Sequence, residues 1–182
     1  MSADVIILAG PAGTGKSTTA RALAATYPKS VHLHTDDFWH NIVSGAIAPY
    51  LPESDPQNQT VLRVIEGAAR TYASGGYLTV VDGFIGPWML HHFLGPGGIA
   101  AGTRLHYVVL RTGLEETLRR AQGRSGPDDL VDEGPIVALW KQFSDLGGLE
   151  KHVIDTTGHA AEDSLHAVQR AIAGGDFLLA AP

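Results

Sequence analysis

The stretch Gly10-Pro11-Ala12-Gly13-Thr14-Gly15-Lys16-Ser17-Thr18 has the residue types and spacing of a phosphate cradle, G-x-x-x-x-G-K-[ST]. Glycines at its fixed positions let the backbone take positive φ and wrap closely around an anion. Successive N–H groups from Gly10, Ala12, Gly13, Thr14 and Gly15, with the helix start at Lys16, Ser17 and Thr18, then point at phosphate. Lys16 is expected to reach the β- and γ-phosphates, and the Ser17 hydroxyl to sit on Mg²⁺. A chance match in a glycine-rich chain is made less credible by the flanks. An apolar, branched run, Asp4–Ala9, precedes the loop, and an Ala-rich helical segment follows it.

Two further groups could complete phosphoryl transfer. Asp36 and Asp37 follow the apolar run Val31–Thr35, where a carboxylate could take or orient the proton of an acceptor hydroxyl. Asp36, nearer the strand end, is the expected base and an expected Mg²⁺ ligand; the plain alternative for the pair is a helix N-cap. Asp82 ends the run Tyr77–Asp82, the usual place for an acidic residue that holds Mg²⁺. His40 and Asn41 follow the Asp pair by about one helical turn, and Phe84 and Trp88 follow Asp82 on a loop. With Asp37 these are the expected acceptor contacts, although packing is the commoner fate of aromatic rings. Arg120 and Arg124 stand four apart at a helix end, on one face, suited to base and phosphate contacts. Arg111 and Arg119 are read as ordinary surface cations. The nine histidines are scattered; His32 and His34 share one face of a strand, but no three have metal-site spacing.

The elements that must position these residues alternate. Five strand candidates, Asp4–Ala9, Val31–Thr35, Tyr77–Asp82, Leu105–Leu110 and His152–Asp155, are separated by helical segments, the pattern of an α/β doubly wound parallel sheet. Ligands bind at the C-terminal edge of such sheets, where the polar residues lie. Residues 36–76 form a long excursion at that edge, read as the acceptor-binding insertion. It ends in a helix that Asp55 should N-cap, Pro56 should open and Gly75-Gly76 should stop. Val61, Leu62, Ile65, Ala68, Ala69 and Tyr72 give that helix its apolar stripe. Helices are also expected over Leu114–Gln122 and Ala160–Ala173, and over Asp128–Leu146 with a split at Gly134-Pro135. Phe177-Leu178-Leu179 is expected to dock on the body.

The 182 residues suffice for one domain, and no apolar run approaches the ~20 residues of a membrane span. Zero Cys excludes disulfides and thiolate chemistry and fits a cytoplasmic setting. The net charge of −6 argues against nucleic acid as a partner. No G-x-S-x-G marks acyl transfer, and none of Lys16, Lys29, Lys141 and Lys151 follows Asn as a guanine-reading N-K-x-D would require. A monomer and a homodimer are both compatible with the sequence.

Taken together, the residues resemble the small P-loop metabolite kinases, such as gluconate, shikimate and adenylate kinases and chloramphenicol phosphotransferase. The resemblance spans nearly the whole chain. Thr35-Asp36 is similar to the strand-ending aspartate that serves as base in several of them. Asp36-Asp37-Phe38-Trp39-His40, with Asn41 and Gly45, loosely resembles the gluconate-kinase stretch G-D-x-L-H. Val81-Asp82-Gly83-Phe84 is similar to the adenylate-kinase D-G-F-P-R segment without its Arg. Arg120 and Arg124 match the spacing of a lid whose first arginine packs on adenine and whose second touches phosphates, which implies a lid over about residues 120–135. Asp155-Thr156-Thr157 looks like the loop that borders adenine. The resemblance implies a P-loop NTPase fold in three layers, with a five-stranded parallel sheet in the order 2-3-1-4-5. It implies ATP and Mg²⁺ as cofactors, and transfer of the γ-phosphate to a hydroxyl of a small-molecule acceptor. A toxin-like nucleotide or nucleotide-sugar kinase and a non-catalytic ATP-dependent regulatory module are the alternatives.

Overall fold

Five parallel strands, β1 (Val5–Ala9), β2 (Ser30–His34), β3 (Leu78–Gly83), β4 (Leu105–Arg111) and β5 (Val153–Asp155), lie in the order β2-β3-β1-β4-β5. The computed structural model describes residues 3–99, 102–123 and 130–179. Seven α-helices are described: α1 (Lys16–Ala25), α2 (Thr35–His40), α3 (Asp55–Ser74), α4 (His91–Leu94), α5 (Leu114–Gln122), α6 (Glu133–Gln142) and α7 (Ala161–Gly174). Among the described residues no helix is long and apolar enough to cross a membrane.

Strand alternation divides the core in two. Val5, Ile7 and Ala9 of β1 face a cluster with Val61, Leu62, Ile65, Ala69 and Ala73 of α3 and with Phe143. Ile6 and Leu8 face the other way, toward Ala20, Leu23 and Ala24 of α1 and Val168 of α7. This is the three-layer arrangement of the P-loop NTPase fold, and β1 is buried on both faces at its centre. Leu78 and Val80 of β3 belong to the α1 layer, so strand alternation turns Asp82 toward α1 as well. The register sets His34 opposite Asp82 and His32 opposite Val80, which puts both imidazoles on that same face.

Several local details differ from expectation. The helix α3 begins at Asp55, one residue earlier than an Asp N-cap would allow, because a 3₁₀ turn at Pro52–Ser54 runs straight into it. Tyr72 is exposed and Ala73 is buried in its place; Tyr72 meets Tyr77 edge-on instead. Gly134 and Pro135 do not split a helix but form the first turn of α6, where the N–H that proline lacks would have had no partner. The tail docks as expected, and does so as a strand: β6 (Leu178–Leu179) pairs antiparallel with the start of β4.

His152, buried beside β4, donates its Nδ1–H to the Tyr107 carbonyl at 2.9 Å. Burial pushes its pKa below the ordinary histidine value of 6.5, against carbonyl contacts from Tyr107 and Phe177. A depressed native pKa means that the unfolded chain binds the proton first. The stability is therefore complete above 6.5 and is lost as pH falls below it. The melting-temperature gap between the wild type and His152→Asn should narrow between about pH 7 and about pH 5. A pH-independent gap in differential scanning calorimetry would refute this.

Candidate active site

The loop between β1 and α1 is built from glycines that nothing else could replace. Gly10, Gly13 and Gly15 all have positive φ, at 140°, 78° and 87°. A Cβ on Gly10 would stand 2.1 Å from the Leu110 carbonyl oxygen, and one on Gly13 would stand 2.7 Å from that of Thr117. Gly13 therefore lets α5 close down on the loop. Gly13→Ala should destabilise the chain by about 1–3 kcal/mol through strain and contact together. It should also weaken nucleotide binding, as read by urea midpoint and ATP titration. Thr14 Oγ1 and Lys16 Nζ both donate to the Pro11 carbonyl, at 3.0 and 2.8 Å, which keeps the ammonium over the loop. Ala12 is half-buried within the loop, and Thr18 is exposed on the first turn of α1.

Ser17 opens onto the sheet. Its hydroxyl donates to Asp82 Oδ2 at 2.6 Å, so the two oxygens expected at Mg²⁺ are adjacent. Asp82 itself is fully buried. Its other oxygen, Oδ1, is met by His32 Nε2 at 2.5 Å and by His34 Nδ1 at 3.1 Å. Burial by itself would raise the Asp82 pKa. The hydrogen bonds from His32, His34 and Ser17 outweigh it and hold the carboxyl well below its usual range. The Asp82 hydrogen bond in turn raises the pKa of His34. Hard, anionic oxygens beside a hydroxyl at the P-loop suit a divalent cation.

Asp36 does not stand on the strand next to β1: β3 lies between, so Asp36 is two strands from the P-loop strand. Its side chain is 62% exposed, and its Oδ2 lies 3.6 Å from His34 Nε2. The two aspartates are thus joined through one imidazole: Asp36, His34, Asp82, Ser17. The N-cap alternative is not realised, since the N-cap of α2 is His34 and no side chain caps it. Thr35 can start the helix close to β3 because residue 83 is glycine; a Cβ there would overlap its hydroxyl. Asp37, His40 and Asn41 are exposed along α2 and just past it.

The excursion beyond α2 is tied down rather than free. Gln57 brackets Ile47 through both its N–H and its carbonyl, at 2.9 and 2.7 Å. Asn58 accepts from Trp39 Nε1 at 2.8 Å and donates to the Pro49 carbonyl at 2.8 Å. Phe84 is packed edge-on against Phe143, with centroids 4.9 Å apart, while Trp88 lies 46% exposed beside both rings. Of the two aromatics, Trp88 has the free face.

On the nucleotide side, Arg120 is paired with Glu116 and donates to the His159 carbonyl at 3.2 Å. Glu116 also accepts from Gly158 N at 3.0 Å, which ties α5 to the loop after β5. Thr157 closes that loop on Gly113 N and on Asp155. Arg111 is held by Glu150 and by the carbonyls of Phe143 and Ser144, a structural role. Arg124 and the neighbouring residues 125–129 of the expected lid lie outside the described residues. The histidines at Asp82 are what sequence reasoning missed. Their shared face was legible, but their partner lies 48 and 50 residues away on a neighbouring strand.

Comparison with known proteins agrees with this geometry. A protein-family model described as an AAA domain matches residues 6–141. No curated protein matches the chain. Among solved structures, the tunicamycin resistance protein of Deinococcus radiodurans is 22% identical, with 99% of each chain covered and a TM-score of 0.63. A sugar kinase from Janibacter is 18% identical over 96% of this chain and 95% of that one, with a TM-score of 0.68. Shikimate kinase from Acinetobacter baumannii is 21% identical over 95% and 94%, with a TM-score of 0.61. At these identities the likeness is one of fold, a fold shared with small-molecule kinases.

Proposed function

The chain belongs to the AAA-domain family of P-loop proteins, and on that premise we propose that it transfers the γ-phosphate of ATP to a hydroxyl of a small molecule. The observation that carries this reading is the contact of Ser17 with Asp82, with Asp36 linked to the same carboxylate through His34 at one sheet edge. A nucleotide-binding loop alone needs no second carboxylate facing outward beside it. Kinase neighbours of the same fold and nearly the same length support the reading.

In this reading the amides of residues 12–18 and Lys16 hold the phosphates. Ser17 and Asp82 hold Mg²⁺, which when bound neutralises the phosphate charge that develops in transfer. Asp36, exposed at the acceptor side, receives or orients the proton of the attacking hydroxyl. Arg120 borders the base, and Arg124 closes over the transferring group. Asp37, His40, Asn41 and Trp88 line the acceptor side, and Phe84 supports Trp88 from beneath.

A panel of hydroxyl compounds with Mg-ATP, read as ADP release above the no-acceptor background, tests the proposal. Sugar acids, amino sugars, nucleosides and nucleotide sugars belong on it. Thermal shift can prescreen them, since a ligand at 100 Kd adds about 2.7 kcal/mol. At least one class should raise ADP release, and Lys16→Ala should return that signal to background. A signal that survives in Lys16→Ala would come from something other than this site.

A further inference from the structure

The proposed reaction uses Asp82 but leaves His32 and His34 without a chemical task. Both imidazoles are directed at one carboxylate from β2, an edge strand, which pairs with β3 along its whole length. We propose that His32 Nε2, His34 Nδ1 and Asp82 Oδ1 form a site for a divalent transition ion of the zinc class, distinct in chemistry from the Mg²⁺ site that shares Asp82. The inference stands whether or not the chain transfers phosphate.

Three features carry it. One donor atom from each residue lies within 4.8 Å of the other two, a clustering found for these three side chains among the described residues. His34 Nδ1 stands 3.1 Å from Asp82 Oδ1, near the ~3.3 Å spacing of two ligands at ~2.05 Å around a tetrahedral ion. His32 Nε2 stands closer, at 2.5 Å, and needs to open by less than about 1 Å to match that spacing. The set is two imidazole nitrogens and one carboxylate oxygen, with the His34 side chain 34% exposed to solvent. That is the pattern of three protein ligands with a free position, and imidazole selects zinc, cobalt or nickel over magnesium.

The surroundings also fit. A histidine that gives one nitrogen to a metal usually gives its other N–H to a carboxylate, which fixes the ring. His34 has a carboxylate in that position: with Nδ1 on Asp82, its Nε2 lies 3.6 Å from Asp36 Oδ2, an ion-pair distance just beyond a hydrogen bond. Asp82 Oδ2 accepts from the Ser17 hydroxyl at 2.6 Å and also lies 3.3 Å from His34 Nδ1, while Oδ1 is the oxygen nearer to both imidazoles. The strands fix the ligands before any ion arrives, since β2 and β3 pair residue for residue from Ser30–Leu78 to His34–Asp82. An ion there would claim Asp82 directly, so zinc-class binding and Mg-nucleotide binding should compete.

The test uses the tag-free, nucleotide-free chain, stripped with chelator and desalted. Co²⁺ is titrated and followed by its visible ligand-field bands, Zn²⁺ by calorimetry, with Mg²⁺ for comparison. The expected result is one Co²⁺ per chain with nitrogen-type bands, displaced by Zn²⁺ and not by equimolar Mg²⁺. Asp36→Asn, at an exposed position, should weaken Co²⁺ about 10- to 100-fold. His32→Asn with His34→Asn should abolish the bands, while His91→Asn with His92→Asn should leave them unchanged. Circular dichroism and ATP binding check that each variant is folded. Absence of the bands in the wild type would overturn the proposal, as would equal Co²⁺ affinity in the folded His32/His34 variant. In either case the two histidines only orient Asp82.

Discussion

Asp36→Asn should lower kcat by about 10²–10⁴-fold toward a verified acceptor, the range for loss of a positioned general base. Its effect on the KM for ATP should be small. The side chain is 62% exposed and makes no buried contact, so the exchange of one oxygen for an amide leaves the fold intact. Asparagine can still face His34, but it cannot take a proton. Steady-state kinetics with acceptor and ATP varied separately provide the check. An unchanged kcat would remove Asp36 from the chemistry and reduce it to a neighbour of His34.

Asp82→Asn should have a comparable effect for a different reason. Removing one preorganised electrostatic group costs on the order of 10²–10³-fold in rate. Here the loss should appear both in kcat and as a higher Mg²⁺ requirement. The variant should also be less stable at neutral pH. Ser17, His32 and His34 all address this carboxylate, and an amide offers one acceptor oxygen where there were two. Each donor left unsatisfied costs about 1–3 kcal/mol. Because the Asp82 pKa is depressed in the native state, the stabilisation is fully present above the usual carboxylate value of 3.8 and fades as pH falls below it. The gap in urea midpoint between wild type and variant should therefore narrow in acid. A variant with wild-type Mg²⁺ dependence would contradict the assignment of Asp82 to the cation.

These two residues also show how far the sequence is legible. The central strands β1, β3 and β4 are buried, mostly apolar runs, and with the half-buried edge strands β2 and β5 all five were located to within one residue at each end. The loop from Gly10 to Thr18 announces itself, because close approach of backbone to anion, and of α5 to Gly13, leaves glycine no substitute. Asp82 was legible as a strand-ending acid. Its hydrogen bonds were not, because pairing between β2 and β3 is a long-range property that no local period encodes. Gly134-Pro135 misled because the same pair that breaks a helix interior is tolerated in a first turn. Arg120 could be placed at a helix end from spacing, but its pairing with Glu116 and the His159 carbonyl depends on how α5 meets the loop after β5.

The most direct measurement of the central claim follows the phosphoryl group itself. ATP carrying ¹⁸O in its γ-phosphate is incubated with the chain, Mg²⁺ and the acceptor that raises ADP release, and the products are analysed by mass spectrometry. The account predicts that the label arrives on a hydroxyl of the acceptor, in step with ADP, and that Asp36→Asn slows its arrival. Label found only in inorganic phosphate, with the acceptor unmodified, would contradict it and leave the site a nucleotide-hydrolysing module.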